Sequence, residues 1–406
     1  MTQTSQFDAI VIGGGLVGMA QAIALGQEGL TVAVIDRLAE QAQLDDAFDG
    51  RVSAVALASR RILNAIGAWE YMLPHASPIY DIRVTEGEQP GHVHYNYKDA
   101  GDEPFGHMVE NRYIRHGLFK RLKELDTITL FAPHSAESIH TSSEWAEVTL
   151  DDGHVLKAPL ALAADGRQSA TRKQIGIKHK DIAYGQCALV CSVKHSLPHN
   201  GLALEKFLPD GPFAVLPMTE DRSAIVWTVE ADMREHYLGL SEEVFLAEVK
   251  RRLGDYLGDI ELCGPRYGYP LQLMIAAEYA GERVALIGDS AHAIHPIAGQ
   301  GVNLGYRDVA VITDLILKQA KLGMDIGSPQ LLAQYQRLRR GDVTSMSMAT
   351  DVLNRLFSNN IKPFRIAREA GLAMVNRMPR LKGFFMQHAM GMTGTLPSMM
   401  RDDEAA

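Results

Sequence analysis

The 406-residue sequence is poor in cysteine: Cys187, Cys191 and Cys263 are its three, and none forms a Cys-x-x-Cys pair. That excludes a disulfide framework and points to a reducing, cytoplasmic setting. Positive charge is not in excess either, since 40 lysines and arginines against 49 acids give a formal net charge of -9. Nucleic acid is therefore not an expected partner. Long hydrophobic runs are also missing. The apolar stretch from Ile10 to Leu25 follows Asp8, has no Lys or Arg before it and contains three consecutive glycines, so it is not a signal peptide. No segment has the roughly 18 uninterrupted apolar residues of a spanning helix, which restricts any membrane contact to a peripheral one. There is no His-Glu-x-x-His motif, and no Ser-His-Asp set is recognisable from spacing. What remains is an ordinary globular composition, 46% hydrophobic and 22% charged, long enough for two or three domains.

The chain opens with a βαβ pattern: an apolar β-branched run from Phe7 to Ile12, a helical pattern from Leu16 to Glu28, and a second run from Thr31 to Ile35. Two further buried-strand patterns, Leu160 to Ala164 and Arg283 to Ile287, end at Asp165-Gly166 and Gly288-Asp289, the kind of strand end at which α/β sheets bind ligands. Between them, from Tyr184 to Trp227, short alternating strands broken by Pro198, Pro209, Pro212 and Pro217 predict an antiparallel sheet, followed by a helix from Ser241 to Leu257. The expected fold is α/β: a discontinuous Rossmann-like nucleotide domain (1–75, 106–180 and 276–325), an inserted, mostly antiparallel β-sheet substrate domain (76–105 and 181–275) and a C-terminal helical region (326–406).

Gly13, Gly15 and Gly18 supply a G-x-G-x-x-G turn between strand and helix, and Asp36, followed by Arg37, closes the second strand at the offset suited to a ribose. This fingerprint does not separate NAD from FAD, because both present the same ADP half. The later motifs do. Ala163-Ala164-Asp165-Gly166-Arg167 and Leu286-Ile287-Gly288-Asp289-Ser290-Ala291-His292 resemble the two downstream signatures of the class A flavin hydroxylases, the p-hydroxybenzoate hydroxylase type. The segment His295-Pro296-Ile297-Ala298-Gly299-Gln300-Gly301-Val302-Asn303-Leu304-Gly305 is similar to the hallmark of the ubiquinone-biosynthesis hydroxylases within that group, which act on polyprenylated phenols. Gly50-Arg51-Val52-Ser53, Val109-Glu110-Asn111 and Asp351-Val352-Leu353-Asn354-Arg355 extend the likeness over nearly the whole chain. Ser290, where the family usually has Ala, and Asp36, where Glu is common, are departures.

The resemblance implies bound FAD, with Asp289 on the flavin ribitol and Arg51 and Asn111 beside the flavin. It also implies a reaction in which NAD(P)H is a transient reductant and O2 the co-substrate, oxygen being delivered from a flavin C4a-hydroperoxide to an electron-rich ring. A single nucleotide fingerprint fits a nicotinamide that visits rather than resides. Peptide N–H groups of Gly301, Val302 and Asn303 would stabilise negative charge on reduced flavin, with Pro296 and Gly299 completing the flavin-side loop. Asn111 is alternatively a helix N-cap and Arg51 a surface cation. No side-chain acid or base is assigned to the oxygen transfer, and no metal is expected: His292 and His295 have metal-like spacing, but the flavin motif accounts for them. His92 and His94 read as a solvated pair, and Cys187 and Cys191 as buried thiols.

The expected partner is a lipophilic prenylphenol, with other ubiquinone-biosynthesis proteins and the inner face of the membrane as contacts. The basic, aromatic-interleaved stretch Arg355, Lys362, Phe364, Arg365, Arg368, Leu372, Met374, Arg377, Met378, Arg380, Leu381, Lys382, Phe384 and Phe385 is either a solvated helical face or that contact surface. Two other functions fit the same motifs: hydroxylation of a small soluble aromatic acid, and a non-catalytic prenyl-binding escort resembling the GDP-dissociation inhibitors. A flavin halogenase lacks support, since no Trp-x-Trp-x-Ile motif is present.

Overall fold

A computed structural model describes residues 3–45, 50–87, 92–208, 211–294, 301–357 and 378–401. Its nucleotide half is built on a six-stranded sheet in the spatial order Ala280–Gly281, Val284–Leu286, Leu160–Ala163, Ala9–Ile12, Val32–Ile35, Ile128–Phe131. All pairings are parallel except that of the edge strand Ala280–Gly281. The central strands are buried at every residue, which is why they read as continuous apolar runs rather than alternating ones. Helix Leu16–Gly26 packs between this sheet and helices Asn111–Leu122 and Gly301–Lys321.

The second half is a large, mostly antiparallel sheet, in the order His292–Ala293, Tyr267–Ala276, His179–His195, Arg222–Glu230, Gly211–Met218, Leu202–Leu208, Asp81–Glu86, His92–Asn96. One face is covered by helix Glu242–Leu253, whose Phe245, Val249 and Leu253 share a core with Leu189, Phe213, Ile225 and Trp227. Ser241 caps that helix by accepting the Val244 N–H, and Gly254, at φ +76°, ends it. The expected fold class is thus borne out, with helices Pro329–Phe357 and Pro379–Ala389 following.

Three local expectations need correction. His179–His195 is one 17-residue strand, not part of a set of short ones. Pro212 and Pro217 lie inside strand Gly211–Met218 instead of breaking it. Each sits beyond the end of one of the strand's two ladders: pairing with Arg222–Glu230 runs from Phe213 to Met218, and pairing with Leu202–Leu208 from Gly211 to Val215. A proline there costs little, because one flank has no partner for its missing N–H. Two small sheets were also missed: Thr4–Gln6 with Val155–Ala158, Ala146–Leu150 and Ala136–Thr141, and Val52–Ala56 with Gly106–Glu110 and Ser77–Ile79.

Candidate functional site

The glycine turn has the geometry its spacing demands. Gly13 has φ +105°, and a Cβ there would lie 2.4 Å from the Ala164 carbonyl oxygen. One at Gly18 would lie 1.9 Å from the Gly13 oxygen, so helix and strand meet only because both residues are bare. Gly15 differs: its Cβ would meet no protein atom within 4 Å. It opens helix Leu16–Gly26, which has no side-chain cap, leaving N–H groups and the positive end of the helix dipole for an anion. Asp36 Oδ2 accepts the Gly14 N–H at 2.7 Å and Oδ1 that of Leu38 at 2.8 Å. Both oxygens are thereby fixed, and each keeps lone-pair capacity for a ribose hydroxyl. Arg37 follows on the exposed side.

The two downstream signatures are tied together by their own side chains, Arg172 at the end of the first and Ser290 in the second. Buried Arg172 donates from one nitrogen to the Ser290 carbonyl and from the other to that of Arg167, at 2.7 Å each. The Ser290 hydroxyl, the departure from the family pattern, is buried 2.6 Å from the Ala163 oxygen and accepts the Ile287 N–H at 3.1 Å. Asp165 Oδ2 accepts the Thr171 N–H at 3.0 Å, while its Oδ1 is buried without a hydrogen bond. Asp289 is water-accessible, yet protein crowds it enough to hold its carboxyl above the ordinary range. Its direct access to solvent keeps that crowding from amounting to full burial.

Against the Gly288-Asp289 turn stands an ionic cluster. Asp308, fully buried, accepts the Gly288 N–H at 2.8 Å and lies 2.8 Å from His292 Nε2 through Oδ2, and accepts Arg339 Nε at 2.5 Å through Oδ1. Burial opposes its charge, but His292 and Arg339 outweigh it, and its pKa is lowered. The carboxylate is therefore ionised, and His292 Nε2 carries the proton. Gly288 itself has φ +60°. Gly305, one turn into helix Gly301–Lys321, packs so closely that a Cβ would lie 2.5 Å from Val17 Cγ2. The helix N-termini at Leu16 and Gly301 are thus drawn together over the Gly288-Asp289 turn.

The flavin-side residues form a second clamp. Asn303 accepts the Ala56 N–H at 3.0 Å and donates to the Ala54 carbonyl at 2.8 Å, so its side chain is engaged with the Val52–Ala56 strand. Asn111 is the first helical residue, Glu110 being the N-cap, so the N-cap reading is corrected: its Oδ1 accepts the Ser53 hydroxyl at 2.7 Å and its N–H bonds the Arg51 carbonyl. Exposed Arg51 follows Gly50, whose Cβ would lie 2.1 Å from the Tyr267 ring of the large sheet. Contacts thus join Gly13 and Gly18 to Ala164-Asp165, Gly14 to Asp36, Val17 to Gly288 and Gly305, Asn303 to Ala54 and Ala56, and Asn111 to Arg51 and Ser53. Pro296, Gly299 and His295 lie outside the described residues. His292 faces Asp308, and His94 Nε2 lies 2.6 Å from Asp81 Oδ1.

These residues fit FAD: bare backbone at Gly15 and Gly301 leaves room for close approach, and Asp165 keeps an oxygen without a hydrogen bond among the described residues. Residues 6–350 match the family described as FAD binding domain. Over 384 residues the chain is 46% identical to the ubiquinone hydroxylase UbiL of Rhodospirillum rubrum, a match covering 95% of this chain and 89% of that protein. It is 32% identical to the 3-demethoxyubiquinol 3-hydroxylase of Escherichia coli, over 94% of this chain and 98% of that protein. Among solved structures, p-nitrophenol 4-monooxygenase PnpA from Pseudomonas putida shares the fold, with a TM-score of 0.79 at 19% identity, over 97% of this chain and 100% of that one. These relationships make the protein an FAD-dependent monooxygenase, for which NAD(P)H and O2 are the typical co-substrates, and set aside the non-catalytic escort. Motifs, family model and relatives agree that the chain belongs to the FAD-dependent hydroxylases of ubiquinone biosynthesis.

Proposed function

We propose that this enzyme hydroxylates the ring of a polyprenylated phenol on the route to ubiquinone, with NAD(P)H visiting as reductant and O2 as oxygen source. The observation that supports this reading is an apolar cluster on the large sheet, on the face opposite its covering helix. Ala188, Val190 and Leu271 of the large sheet are buried with Val226, Tyr184 and Tyr269, and Tyr184 also packs in the cluster of Ile294 and Leu304, which flank the family's glycine-rich segment. Such a cluster suits a lipophilic ring better than an aromatic carboxylate, whose charge would need a partner there.

In this reading, Gly13, Gly15 and Gly18 admit the pyrophosphate, Asp36 with Arg37 holds the adenosine side, and Asp165 and Asp289 hold the ribitol side. Arg51, Asn111, Pro296, Gly299 and the N–H groups of Gly301, Val302 and Asn303 surround the ring system. Bound flavin supplies the redox chemistry and oxygen transfer; the protein's part is to orient the phenol and keep water out. The segments 1–75, 106–180 and 276–325 act as the cofactor domain, 76–105 and 181–275 as the substrate domain, and 326–406 as a helical cover.

A bilayer-dissolved substrate requires access to lipid. Among the described residues no helix is long and apolar enough to cross a membrane. Met378, Phe384 and Phe385 are exposed at helix Pro379–Ala389, with Arg380 beside them, and support a peripheral contact at the inner membrane face. Lys362, Phe364, Arg365, Arg368, Leu372, Met374 and Arg377 of the basic stretch lie outside the described residues. The test is a lipid extract from a strain lacking the gene: ubiquinone should fall and a prenylphenol accumulate. Unchanged quinone, with purified enzyme hydroxylating a soluble aromatic acid, would refute the proposal.

A further inference from the structure

Glu205 lies in strand Leu202–Leu208 of the large sheet. Its neighbours point to the face covered by helix Glu242–Leu253: Leu204 joins that core, and Lys206 Nζ donates to the Arg252 carbonyl at 2.7 Å. Side chains alternate along a strand, so Ala203, Glu205 and Phe207 point the other way. Ala203 shows what lies there, packing with Leu57, Ile79, Phe105 and Met108. On this face the register sets Glu205 in one cross-sheet row with Ala214, Val226, Val190 and Tyr267. That row includes Val226 and Val190 of the apolar cluster described above and ends at the tyrosine against which the Gly50-Arg51 turn packs.

Glu205 is an anomaly in such a row. No hydrogen bond or ion pair joins it to any described residue, and burial alone pushes its carboxyl up to about 7. The side chain keeps some contact with water although protein surrounds it. An ionisable group buried without a partner costs stability, and carboxyls tuned toward neutrality in a cleft are the groups that serve as general acids and bases.

We propose that Glu205 is the general base of the reaction, accepting the proton of the substrate's ring hydroxyl as the ring is attacked. This rests on the phenol reading given above. The phenolic O–H bond breaks and a carboxyl O–H bond forms. The resulting phenolate carries more electron density at its ortho and para carbons, where the electrophilic oxygen is received. As aromaticity returns, the proton on the attacked carbon moves to the phenolate oxygen. The proton on Glu205 leaves in the water formed from the second atom of O2, whose reducing electrons come from NAD(P)H.

The experiment compares wild-type holoenzyme with Glu205→Gln and Glu205→Asp, using a short-tailed prenylphenol in detergent micelles between pH 5.5 and 9. Hydroxylated product, NAD(P)H consumed and hydrogen peroxide formed are measured together. Wild-type hydroxylation should fall on the acid side of about pH 7. Glu205→Gln should keep its FAD and its NAD(P)H oxidation, lose that acid limb and hydroxylate on the order of a hundredfold more slowly, with peroxide replacing product. Glu205→Asp should retain part of the rate, and a more acidic substituted phenol should partly rescue Glu205→Gln. A Glu205→Gln enzyme with wild-type rate and pH profile overturns the role of Glu205 alone. A wild type that hydroxylates no prenylphenol overturns the substrate reading and this inference with it.

Discussion

Replacing Asp308 by Ala tests whether the ionic cluster positions the cofactor turn. The side chain is fully buried and accepts from the Gly288 N–H, His292 and Arg339, the last only 2% exposed. Removing it takes one of the two carboxylates from Arg339, which keeps Asp342, and leaves His292 without its acceptor, a loss of about 3–4 kcal/mol, the lower part of the range for a broken buried pair. The Gly288 N–H would also lose its acceptor, freeing the turn that presents Asp289. A tenfold loss in affinity is about 1.4 kcal/mol, so if even a third of the destabilisation is felt at the turn, FAD binding should weaken on the order of tenfold. Urea unfolding of the apoprotein and FAD titration by flavin fluorescence read the two effects separately.

The pH dependence has a definite sign. Asp308 is held below its ordinary value of 3.8, so its contribution is fully present above that value and lost as pH falls through the folded pKa. Wild type should lose stability below pH 3.8, and Asp308→Ala should show a shallower loss there. An Asp308→Ala protein with unchanged urea midpoint and FAD affinity would refute the reasoning.

Four other outcomes follow from the same geometry. Gly18→Ala and Gly305→Ala, whose Cβ atoms would lie 1.9 Å from Gly13 O and 2.5 Å from Val17 Cγ2, should yield protein depleted in flavin; a full flavin spectrum in both would contradict the close packing. Asp289→Ala should weaken FAD binding while leaving apoprotein stability unchanged, since protein crowding disfavours that carboxylate's charge; a destabilised apoprotein would argue for a structural role instead. Ser290→Ala should cost only about 1 kcal/mol or less, because the Ile287 N–H also bonds the Ala163 carbonyl at 2.9 Å. In native protein a thiol reagent should modify Cys263 first, because Cys187 and Cys191 are buried and burial pushes the Cys191 thiol up to about 12; rapid labelling of all three would overturn this.

The cofactor site was legible because nucleotide binding is written locally. A glycine that must have positive φ, as at Gly13, or whose Cβ would lie 1.9 Å from backbone, as at Gly18, leaves a short, spaced signature, and buried parallel strands leave apolar runs. The fold class followed from the same periodicities. The prolines at 212 and 217 misled because their tolerance depends on which flank of the strand is paired, a property of neighbours and not of the segment.

What only the tertiary structure decided are the contacts between segments far apart in the chain. Arg172 reaches Ser290, Asn303 clamps Ala54 and Ala56, and Asp308 with Arg339 braces Gly288. Glu205 belongs with them: in sequence it is one acid in a strand, and it becomes a candidate base only because sheet register sets it in an apolar row. By itself the sequence determined which cofactor is held and where the glycine turns fall, since those depend on backbone freedom and helix ends. The fold decided which buried charges brace those turns and which one meets the substrate, since burial and pairing are set by the whole packed chain.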